Sequence, residues 1–175
     1  MKQAITEQIY NYCRSMDRCD HELGYSVWHP DGTADYGLVY QGSGRGFIDA
    51  ALKQHECLQT HCHSVSNILI KIGGDKAASE SYCLCTHRHK KRDGIFDAIL
   101  NARYIDTWSY REDHWRIDHR VCSIDFYRTI TADVSLPEFS RDALGVDDKA
   151  QEALSARGRR DETDVSYETF ARITA

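Results

Sequence analysis

The chain has 175 residues, 41% of them hydrophobic and 28% charged, a balance that fits one domain with a buried core. Its net charge of −5 and its isoelectric point near 6.0 argue against nucleic acid as a partner. The sequence has neither a long apolar run nor a signal-peptide core. We therefore expect a cytoplasmic protein with no membrane partner and with reduced cysteines.

Two helices are predicted at the start of the chain. Apolar residues recur at helical spacing from Ile5 to about Asp20, which indicates one buried stripe along a first helix. A short second helix is predicted from Asp20 to Trp28, because Asp20 is a good N-cap residue. The next four residues, His29 to Gly32, have the sequence HPDG and are expected to end this helix as a turn.

A short strand and a third helix follow. The segment from Thr33 to Gln41 is typical of a strand. The glycine-rich segment from Gly42 to Gly46 predicts a turn, and its spacing differs from the G-x-G-x-x-G pattern of dinucleotide-binding loops. Helical spacing of apolar residues then predicts a third helix from Phe47 to Leu58.

From His61 onward the hydrophobic period changes to two, which predicts strands joined by short hairpin turns. The four strands are expected at about 61–72, 76–89, 95–110 and 114–127. Helices followed by an antiparallel meander define an α+β order. We predict a cone-shaped, curved antiparallel sheet packed by three N-terminal helices, with one interior cavity that opens near the end of the first helix. The predicted domain spans residues 1–130, and residues 131–175 are expected to form a polar C-terminal arm.

Histidines and cysteines are frequent in the predicted strands, and they raise the question of a metal site. Four of them alternate along one strand and share one face, namely Cys83, Cys85, His87 and His89. At about 3.3 Å per residue, these positions span roughly 20 Å. Zinc ligands, in contrast, all lie about 2.0–2.3 Å from one ion. At most a pair of these four residues can therefore contribute to one site.

The sequence HCH places His61 and His63 on one face of a strand and Cys62 on the other. The ligand spacings of structural zinc sites are absent from the sequence. We therefore predict no metal and no cofactor, and we interpret His61 as a residue of the cavity rim. The cysteines are interpreted as small buried hydrophobic residues.

Acid–base chemistry is the remaining possibility, and it points to one carboxylate and one imidazole. Asp17 lies within the first helix beside the apolar Met16, and His63 lies at the start of the first long strand. A carboxylate beside an imidazole fixes the tautomer of the ring and stabilises its charged form. We expect the mouth of the cavity to bring Asp17 and His63 together.

Four segments, in this order, resemble the SnoaL-like family of the nuclear-transport-factor-2-like superfamily, whose members have cone-shaped α+β folds. They are YCRSMDRCD (12–20), VWHPDGTADYG (27–37), HCHSVSNILI (61–70) and ARYIDTWSYREDHWRIDHRV (102–121). The resemblance covers about residues 5–128. The family includes hexachlorocyclohexane dehydrochlorinase, scytalone dehydratase, bile-acid 7α-dehydratase, polyketide cyclases and diarylpropane formaldehyde lyases. It also includes dioxygenase β subunits and members that only bind ligands.

The resemblance implies particular site residues. Several enzymes of the family share an Asp–His dyad, and Asp17 and His63 match its two positions. Five residues before the aspartate, the dehydratase-like members carry a tyrosine or lysine, where this chain has Tyr12. An arginine five residues after the hairpin tryptophan recurs in the eliminating enzymes, and Arg120 follows Trp115 at that spacing. Residues five apart on a regular strand face opposite ways, so either a bulge separates these two or one faces a neighbouring subunit.

Together, these residues and the resemblance predict that the protein is a cofactor-independent lyase. His63, neutral at rest, takes a proton from a small apolar or aromatic substrate, while Asp17 accepts the other ring N–H and stabilises the imidazolium. Tyr12 donates a hydrogen bond to the departing oxygen or to a carbonyl, and Arg120 offsets developing negative charge. The predicted substrate-binding residues are Trp28, Tyr36, Phe47, Asn67, Tyr82 and Tyr104.

Other functions are compatible with the same sequence. An isomerase or a polyketide-cyclase-type aldol enzyme begins with the same proton abstraction. A non-catalytic binding protein uses the cavity without the base, and a dioxygenase β-type structural subunit has a larger iron-containing partner. Members of the family usually associate, so we expect a homotrimer or homodimer. The segment from Tyr167 to Ile173 is expected either to contact a neighbouring subunit or to be mobile.

Overall fold

The computed structural model of the chain describes residues 1–92, 94–132 and 158–173. Helices α1 (Lys2–Arg18), α2 (His21–Ser26) and α3 (Gly44–His55) precede the long strands, and the short strands β1 (Trp28–Asp35) and β2 (Gln41–Ser43) lie between α2 and α3. The long strands are β3 (Thr60–Gly73), β4 (Lys76–Lys91), β5 (Gly94–Arg111) and β6 (His114–Ala132), and a last helix, α4, spans Val165–Ala171. The three predicted helices and the four predicted long strands are confirmed.

Helix α1 forms where the apolar residues fall on one stripe. Residues of this stripe, at steps of three or four, are almost fully buried: Ile5, Ile9, Tyr12 and Met16. The helix ends at Cys19, which adopts a left-handed conformation with φ 52°. Asp20 is the N-cap of α2, because its Oδ1 accepts a hydrogen bond from the Leu23 N–H at 2.9 Å. The predicted N-cap is confirmed.

The predicted turn from His29 to Gly32 is wrong, because these residues belong to β1. Strand β1 runs parallel to β6, and the register of this pairing shifts between Trp28 and Thr33, so the Pro-Asp-Gly sequence falls where regular pairing is interrupted. The predicted strand from Thr33 to Gln41 is divided between the end of β1 and the start of β2. A turn separates the two at Gly37, whose φ is 62°.

Helix α3 begins earlier than predicted, at Gly44 rather than at Phe47. Ser43 caps it, since its Oγ accepts a hydrogen bond from the Gly46 N–H at 3.1 Å. Gly44 packs directly on the indole of Trp28, where an added Cβ would lie 2.0 Å from a ring carbon. The glycine is therefore required for the close approach of α3 to β1.

The six strands form one open, curved sheet in the order β2-β1-β6-β5-β4-β3. Neighbouring strands are antiparallel except β1 and β6, which are parallel. Helix α1 contacts β3 and β6, and α3 contacts β1 and β2. This arrangement confirms the predicted α+β fold, a curved sheet packed by three N-terminal helices.

A bulge in β6 brings Trp115 and Arg120 to the interior. The register between β5 and β6 shifts by one residue, and Asp118 is the extra residue on β6. Both side chains are buried, with 4% of Trp115 and 0% of Arg120 exposed. Of the two explanations left open by the sequence, the bulge is therefore the one that the structure supports.

Helix α4 packs on α1 of the same chain. The Tyr167 hydroxyl donates to Asp20 Oδ2 at 2.7 Å, and the Arg14 guanidinium donates to Ser166 Oγ at 3.1 Å. Residues 133–157 of the predicted C-terminal arm lie outside the described residues. Among the residues that the structure describes, no helix has the length and apolarity that crossing a membrane requires.

Candidate active site

An interior cavity of about 270 Å³ lies between α1, α3 and strands β3 to β6. Its walls are mainly apolar and aromatic, and they include Phe47 and Leu100. Phe47 stacks on Tyr36 with ring centroids 3.6 Å apart, so these two side chains form one flat wall. The lining also contains a cluster of ionisable groups, namely His55, His63, Cys85 and His87. The predicted interior cavity is therefore present, and one part of its lining is a cluster of ionisable side chains.

Asp17 and His63 are in direct contact, as expected. Asp17 lies in the last turn of α1 and His63 near the start of β3, and the packing of α1 on β3 brings them together. The His63 Nδ1–H donates to Asp17 Oδ1 at 2.7 Å, and the His63 backbone N–H lies 3.1 Å from each carboxylate oxygen. Only 6% of the His63 side chain and 17% of the Asp17 side chain are exposed. Asp17 thus fixes the tautomer of the ring and leaves the lone pair on Nε2.

The surroundings of His63 favour its charged form. Burial acts to lower the pKa of this imidazole, but hydrogen bonds with Asp17 and Cys85 outweigh burial, so the pKa lies well above its ordinary value. His63 is therefore protonated in a larger fraction of molecules at neutral pH than an exposed histidine is. This is the direction expected from the sequence, because a carboxylate beside an imidazole stabilises its charged form.

Strand pairing adds two residues that the sequence did not place at the site. Strands β3 and β4 pair with His63 directly opposite Cys85, and His87 shares the face of Cys85 two residues along β4. The Cys85 Sγ lies 3.2 Å from His63 Nε2 and 3.0 Å from His87 Nε2. Burial and the neighbouring histidines lower the pKa of His87 to about 4, so this ring is neutral at neutral pH. Alternation along β4 was visible in the sequence, but the register with β3 was not.

Two further histidines pack on this cluster. His61 is only 5% exposed, so its interpretation as a rim residue is wrong. Its Nε2–H donates to the Met16 carbonyl at 2.6 Å and its Nδ1 accepts from Arg160 at 3.3 Å, which occupies both ring nitrogens. His55 is 7% exposed, and its Nδ1 has no hydrogen-bond partner in the part of the chain that the structure describes. Burial lowers the pKa of His55 to about 3, so this ring is also neutral.

Two tyrosine hydroxyls provide hydrogen-bond donors inside the cavity. The hydroxyl oxygens of Tyr12 and Tyr36 lie 2.8 Å apart, and both residues line the cavity. Burial raises the pKa of both phenols, so both remain protonated at neutral pH. One hydroxyl hydrogen joins the two oxygens, and the second is available to a bound molecule. We refer to these two residues as the tyrosine pair.

Arg120 packs on the rings of Tyr12 and Tyr104 from outside the cavity lining. Its guanidinium carbon lies 4.1 Å from the ring centroid of Tyr12 and 4.2 Å from that of Tyr104. Two of its N–H groups donate to the Asp106 carboxylate at 2.7 and 2.9 Å, and both side chains are fully buried. The structure therefore places Arg120 against the tyrosine rings and Asp106, rather than on the cavity surface where we expected it to face a substrate.

Three of the six predicted substrate-binding residues line the cavity: Tyr36, Phe47 and Tyr104. The other three do not. Trp28 is fully buried beneath α3, and Asn67 is exposed in a bulge of β3 with φ 49°. Tyr82 is 43% exposed, because its neighbours Ser81 and Cys83 occupy the buried face of β4. These three predictions are wrong because burial and strand facing depend on packing between distant segments.

The cysteines fall into two groups. Five are buried or partly buried, as expected: Cys13, Cys19, Cys83, Cys85 and Cys122. Cys57 and Cys62 are exposed, so the expectation of burial is wrong for them. Cys57 lies in the turn that follows α3, and Cys62 lies on the face of β3 opposite His61 and His63.

The fold has known relatives among solved structures. The Kfla4162 protein of Kribbella flavida is 15% identical with a TM-score of 0.67, over 73% of this chain and 92% of the other. Hexachlorocyclohexane dehydrochlorinase LinA-type3 from Novosphingobium barchaimii is 14% identical with a TM-score of 0.66, over 76% of this chain and 91% of the other. A candidate scytalone dehydratase from Novosphingobium aromaticivorans is 24% identical with a TM-score of 0.62, over 77% of this chain and 89% of the other. These likenesses show a shared fold.

Sequence comparison identifies the family. A search of curated proteins returned no significant match. The family profile of the SnoaL-like domain, in contrast, matches residues 1–121, which include all three N-terminal helices, strands β1 to β5 and the first part of β6. The chain therefore belongs to the SnoaL-like family.

Proposed function

We propose that the protein is a lyase that works without a cofactor and eliminates water, or a related leaving group, from a small ring-bearing substrate. The observation that carries this proposal is the contact of Asp17 with His63, a residue that lines a mainly apolar cavity. Structures with the same fold include a dehydrochlorinase and a candidate dehydratase, names that denote elimination reactions, and this supports the class of chemistry.

The proposed reaction begins at His63 Nε2. While Asp17 holds the Nδ1–H, Nε2 takes a proton from the carbon adjacent to the one that bears the leaving group, and the C–H electron pair becomes the new C=C bond as the C–O bond breaks. Asp17 stabilises the imidazolium that forms. The departing oxygen accepts a hydrogen bond from the tyrosine pair and takes the proton from Nε2, which releases water and restores the neutral imidazole. The Cys85 Sγ, 3.2 Å from Nε2, has to turn aside for a substrate to reach this nitrogen.

The cavity suits a substrate with one or two small rings. Its volume of about 270 Å³ is close to the lower limit of ligand sites, which is about 300 Å³. The stacked rings of Phe47 and Tyr36 offer a flat face to an aromatic or unsaturated ring. His63 and the tyrosine pair then provide a base and a donor for one polar substituent. A cyclic or aromatic alcohol fits this combination.

A screen of cyclic and aromatic alcohols and diols tests the proposal, with mass spectrometry to detect loss of water. The protein is treated with a chelator beforehand, so that turnover is measured without bound metal. A dehydrated product that forms with the wild type and not with His63→Asn supports the proposal. A product of unchanged mass identifies an isomerase instead, and tight binding with no turnover of any compound identifies a carrier. Either of these two results contradicts the proposal.

The pH dependence of kcat/KM is a second test, because the proposed base is neutral His63. Against the effect of burial, hydrogen bonds with Asp17 and Cys85 hold the pKa of His63 above its ordinary value. The basic form therefore becomes more abundant as pH rises through this raised pKa. In the chelator-treated protein, kcat/KM should increase with pH and level off in the alkaline range.

Asp17→Asn should shift the rising limb of this profile to lower pH, because the carboxylate no longer stabilises the imidazolium. The other titratable groups around the His63 ring stay in place in this variant: Cys85, His55, His61 and His87. A wild-type profile that is flat, or a rising limb that Asp17→Asn leaves in place, would contradict the assignment of His63 as the base.

Loss of the Tyr12 hydroxyl is expected to lower kcat by about 10²–10³, as removal of one donor to a developing oxyanion does. KM should change less, because the hydrogen bond strengthens mainly as the oxygen departs. The variant is Tyr12→Phe, which also breaks the 2.8 Å contact with Tyr36, so thermal unfolding is measured alongside activity. Tyr82→Phe is the control, since Tyr82 is 43% exposed and lies outside the cavity lining. Wild-type kcat in Tyr12→Phe would exclude Tyr12 as the donor.

A further inference from the structure

We propose that His63, Cys85 and His87 form a binding site for a thiophilic divalent cation, with Zn²⁺ as the expected ion. Their ligand atoms, two imidazole nitrogens and one sulfur, all lie within 4.8 Å of one another. The Cys85 Sγ is central, at 3.2 Å from His63 Nε2 and 3.0 Å from His87 Nε2. One thiolate with two imidazoles is a donor set that zinc binds readily.

The site is built across the β3–β4 hairpin. Four alternating residues of one strand cannot converge on one ion, and this excludes a site formed by β4 alone. Cys85 and His87 form a pair on β4, and this pair needs only one ligand from the neighbouring strand. The register provides it, because His63 lies directly opposite Cys85 on β3, and adjacent strands are about 4.7–4.9 Å apart.

The spacing of the ligand atoms fits a tetrahedral ion after a small adjustment. A Zn–S distance of about 2.3 Å and a Zn–N distance of about 2.0–2.1 Å put sulfur and nitrogen about 3.6 Å apart in a tetrahedral site. The two Sγ–Nε2 distances are 3.2 and 3.0 Å. The sulfur therefore has to separate from each nitrogen by about half an ångström. The two nitrogens, which lie within 4.8 Å of each other, have to be about 3.3 Å apart around the ion. Side-chain rotations within the rotamer wells provide these adjustments.

Asp17 provides the outer hydrogen bond that zinc-bound histidines characteristically make. The His63 Nδ1–H donates to Asp17 at 2.7 Å, so the lone pair of the ring lies on Nε2, the nitrogen next to Cys85. A carboxylate in this position orients the ring and increases its basicity toward the metal. The contact that prepares His63 as a base thus prepares it equally well as a metal ligand.

A buried nitrogen without a partner is an independent sign of a ligand in this part of the cavity. His55 belongs to the same lining and is 7% exposed, and its Nδ1 has no hydrogen-bond partner among the described residues. Its ring centroid lies 5.1 Å from that of His87. A buried polar atom without a partner is costly, and a water molecule carried by the cation is a suitable donor for it.

With three protein ligands, the fourth position of the ion opens on the cavity, as in exchangeable and catalytic zinc sites. The cation and the substrate of the proposed lyase then compete for the same lone pair on His63 Nε2. Zn²⁺ is therefore expected to inhibit the elimination. The metal site itself does not rest on the proposed function, because binding is measured without a substrate.

Metal titration of the full-length, chelator-treated protein tests the site. Zn²⁺ is titrated against a chromophoric chelator, and Co²⁺ is added separately to detect sulfur coordination by its charge-transfer absorption. The wild type is expected to bind one equivalent with this absorption. Cys85→Ser and His87→Gln should lose both, and Asp17→Asn should bind about 10–100-fold more weakly. Cys122→Ser is the matched control, since Cys122 lines the same cavity outside the cluster and should bind as the wild type does.

Two outcomes would overturn the site. One is the absence of binding by the folded wild type. The other is binding that persists in Cys85→Ser and His87→Gln but disappears when the exposed Cys57 and Cys62 are replaced by serine. Thermal unfolding of each variant separates loss of the site from loss of the fold. Measurement of activity distinguishes the metal site from the proposed lyase mechanism. Turnover that is abolished by chelation and restored by Zn²⁺ would contradict a metal-free base at His63, but it would not contradict the metal site.

Discussion

Asp17→Asn is expected to lower kcat by about 10²–10⁴, the usual contribution of a positioned acid–base group, while the protein remains folded. The amide keeps the size of the side chain and one acceptor oxygen. It cannot stabilise a positive ring, and one oxygen cannot replace the two that now accept the Nδ1–H and the backbone N–H of His63. The measurement is kcat on a substrate from the alcohol screen, with thermal unfolding recorded for the same preparation.

His63→Asn is the companion variant and should lose turnover at least as completely, because it removes the proposed base. The chain offers a matched control in the exposed pair of His21 and Asp49, whose Nδ1–Oδ1 distance is 3.2 Å and whose side chains are 49% and 57% exposed. His21→Gln and Asp49→Asn should leave kcat unchanged. Full activity of both Asp17→Asn and His63→Asn on a confirmed substrate would show that the dyad is not catalytic.

Asp106→Ala is expected to reduce the free energy of unfolding by about 3–5 kcal/mol, because it leaves a buried guanidinium without its counter-charge. Arg120 and Asp106 are both fully buried and joined by two hydrogen bonds at 2.7 and 2.9 Å. The Nη1 atom of Arg120 already has no partner among the described residues, so no spare acceptor is in place there. Chemical denaturation measures the loss.

Replacement of both Asp106 and Arg120 tests whether the loss of stability comes from an unpaired buried charge. Asp106→Leu combined with Arg120→Met should recover much of the stability, since apolar side chains can fill the space of a buried ion pair at little cost. Asp31→Ala serves as the exposed control, because Asp31 pairs with Arg111 at the surface and is 68% exposed. It should leave the free energy of unfolding nearly unchanged. Wild-type stability in Asp106→Ala would mean that Asp106 does not compensate the charge of Arg120.

The double variant also distinguishes two roles of Arg120. If Arg120 acts only by supporting the rings of Tyr12 and Tyr104, a folded Arg120→Met/Asp106→Leu protein should retain much of its kcat. If the guanidinium offsets charge on the substrate, kcat should decrease strongly even though stability is recovered. The structure favours the first role, because Arg120 lies outside the cavity lining.

The order and type of the main elements follow from local patterns in the sequence. The buried stripe of α1, the Asp20 cap of α2 and the two-residue period of the long strands all arise from neighbours within a few positions, and each was predicted correctly. The contact between Asp17 and His63 was expected from the family resemblance together with the chemistry of the two side chains, and the packing of α1 on β3 produces it.

The residues of different strands that meet, and those that face the interior, are set by the packing of the whole chain. The bulge at Asp118 directs the Arg120 side chain to the interior, and the β3–β4 register places His63 opposite Cys85. Tyr82 is exposed because its neighbours on β4 occupy the buried face of the sheet. The sequence HPDG was expected to be a turn on local grounds, yet it lies in a strand because its partner is β6, about ninety residues away. The physical reason is common to all these cases: register, bulges and sheet curvature depend on packing between distant segments, which local hydrophobic periods do not encode.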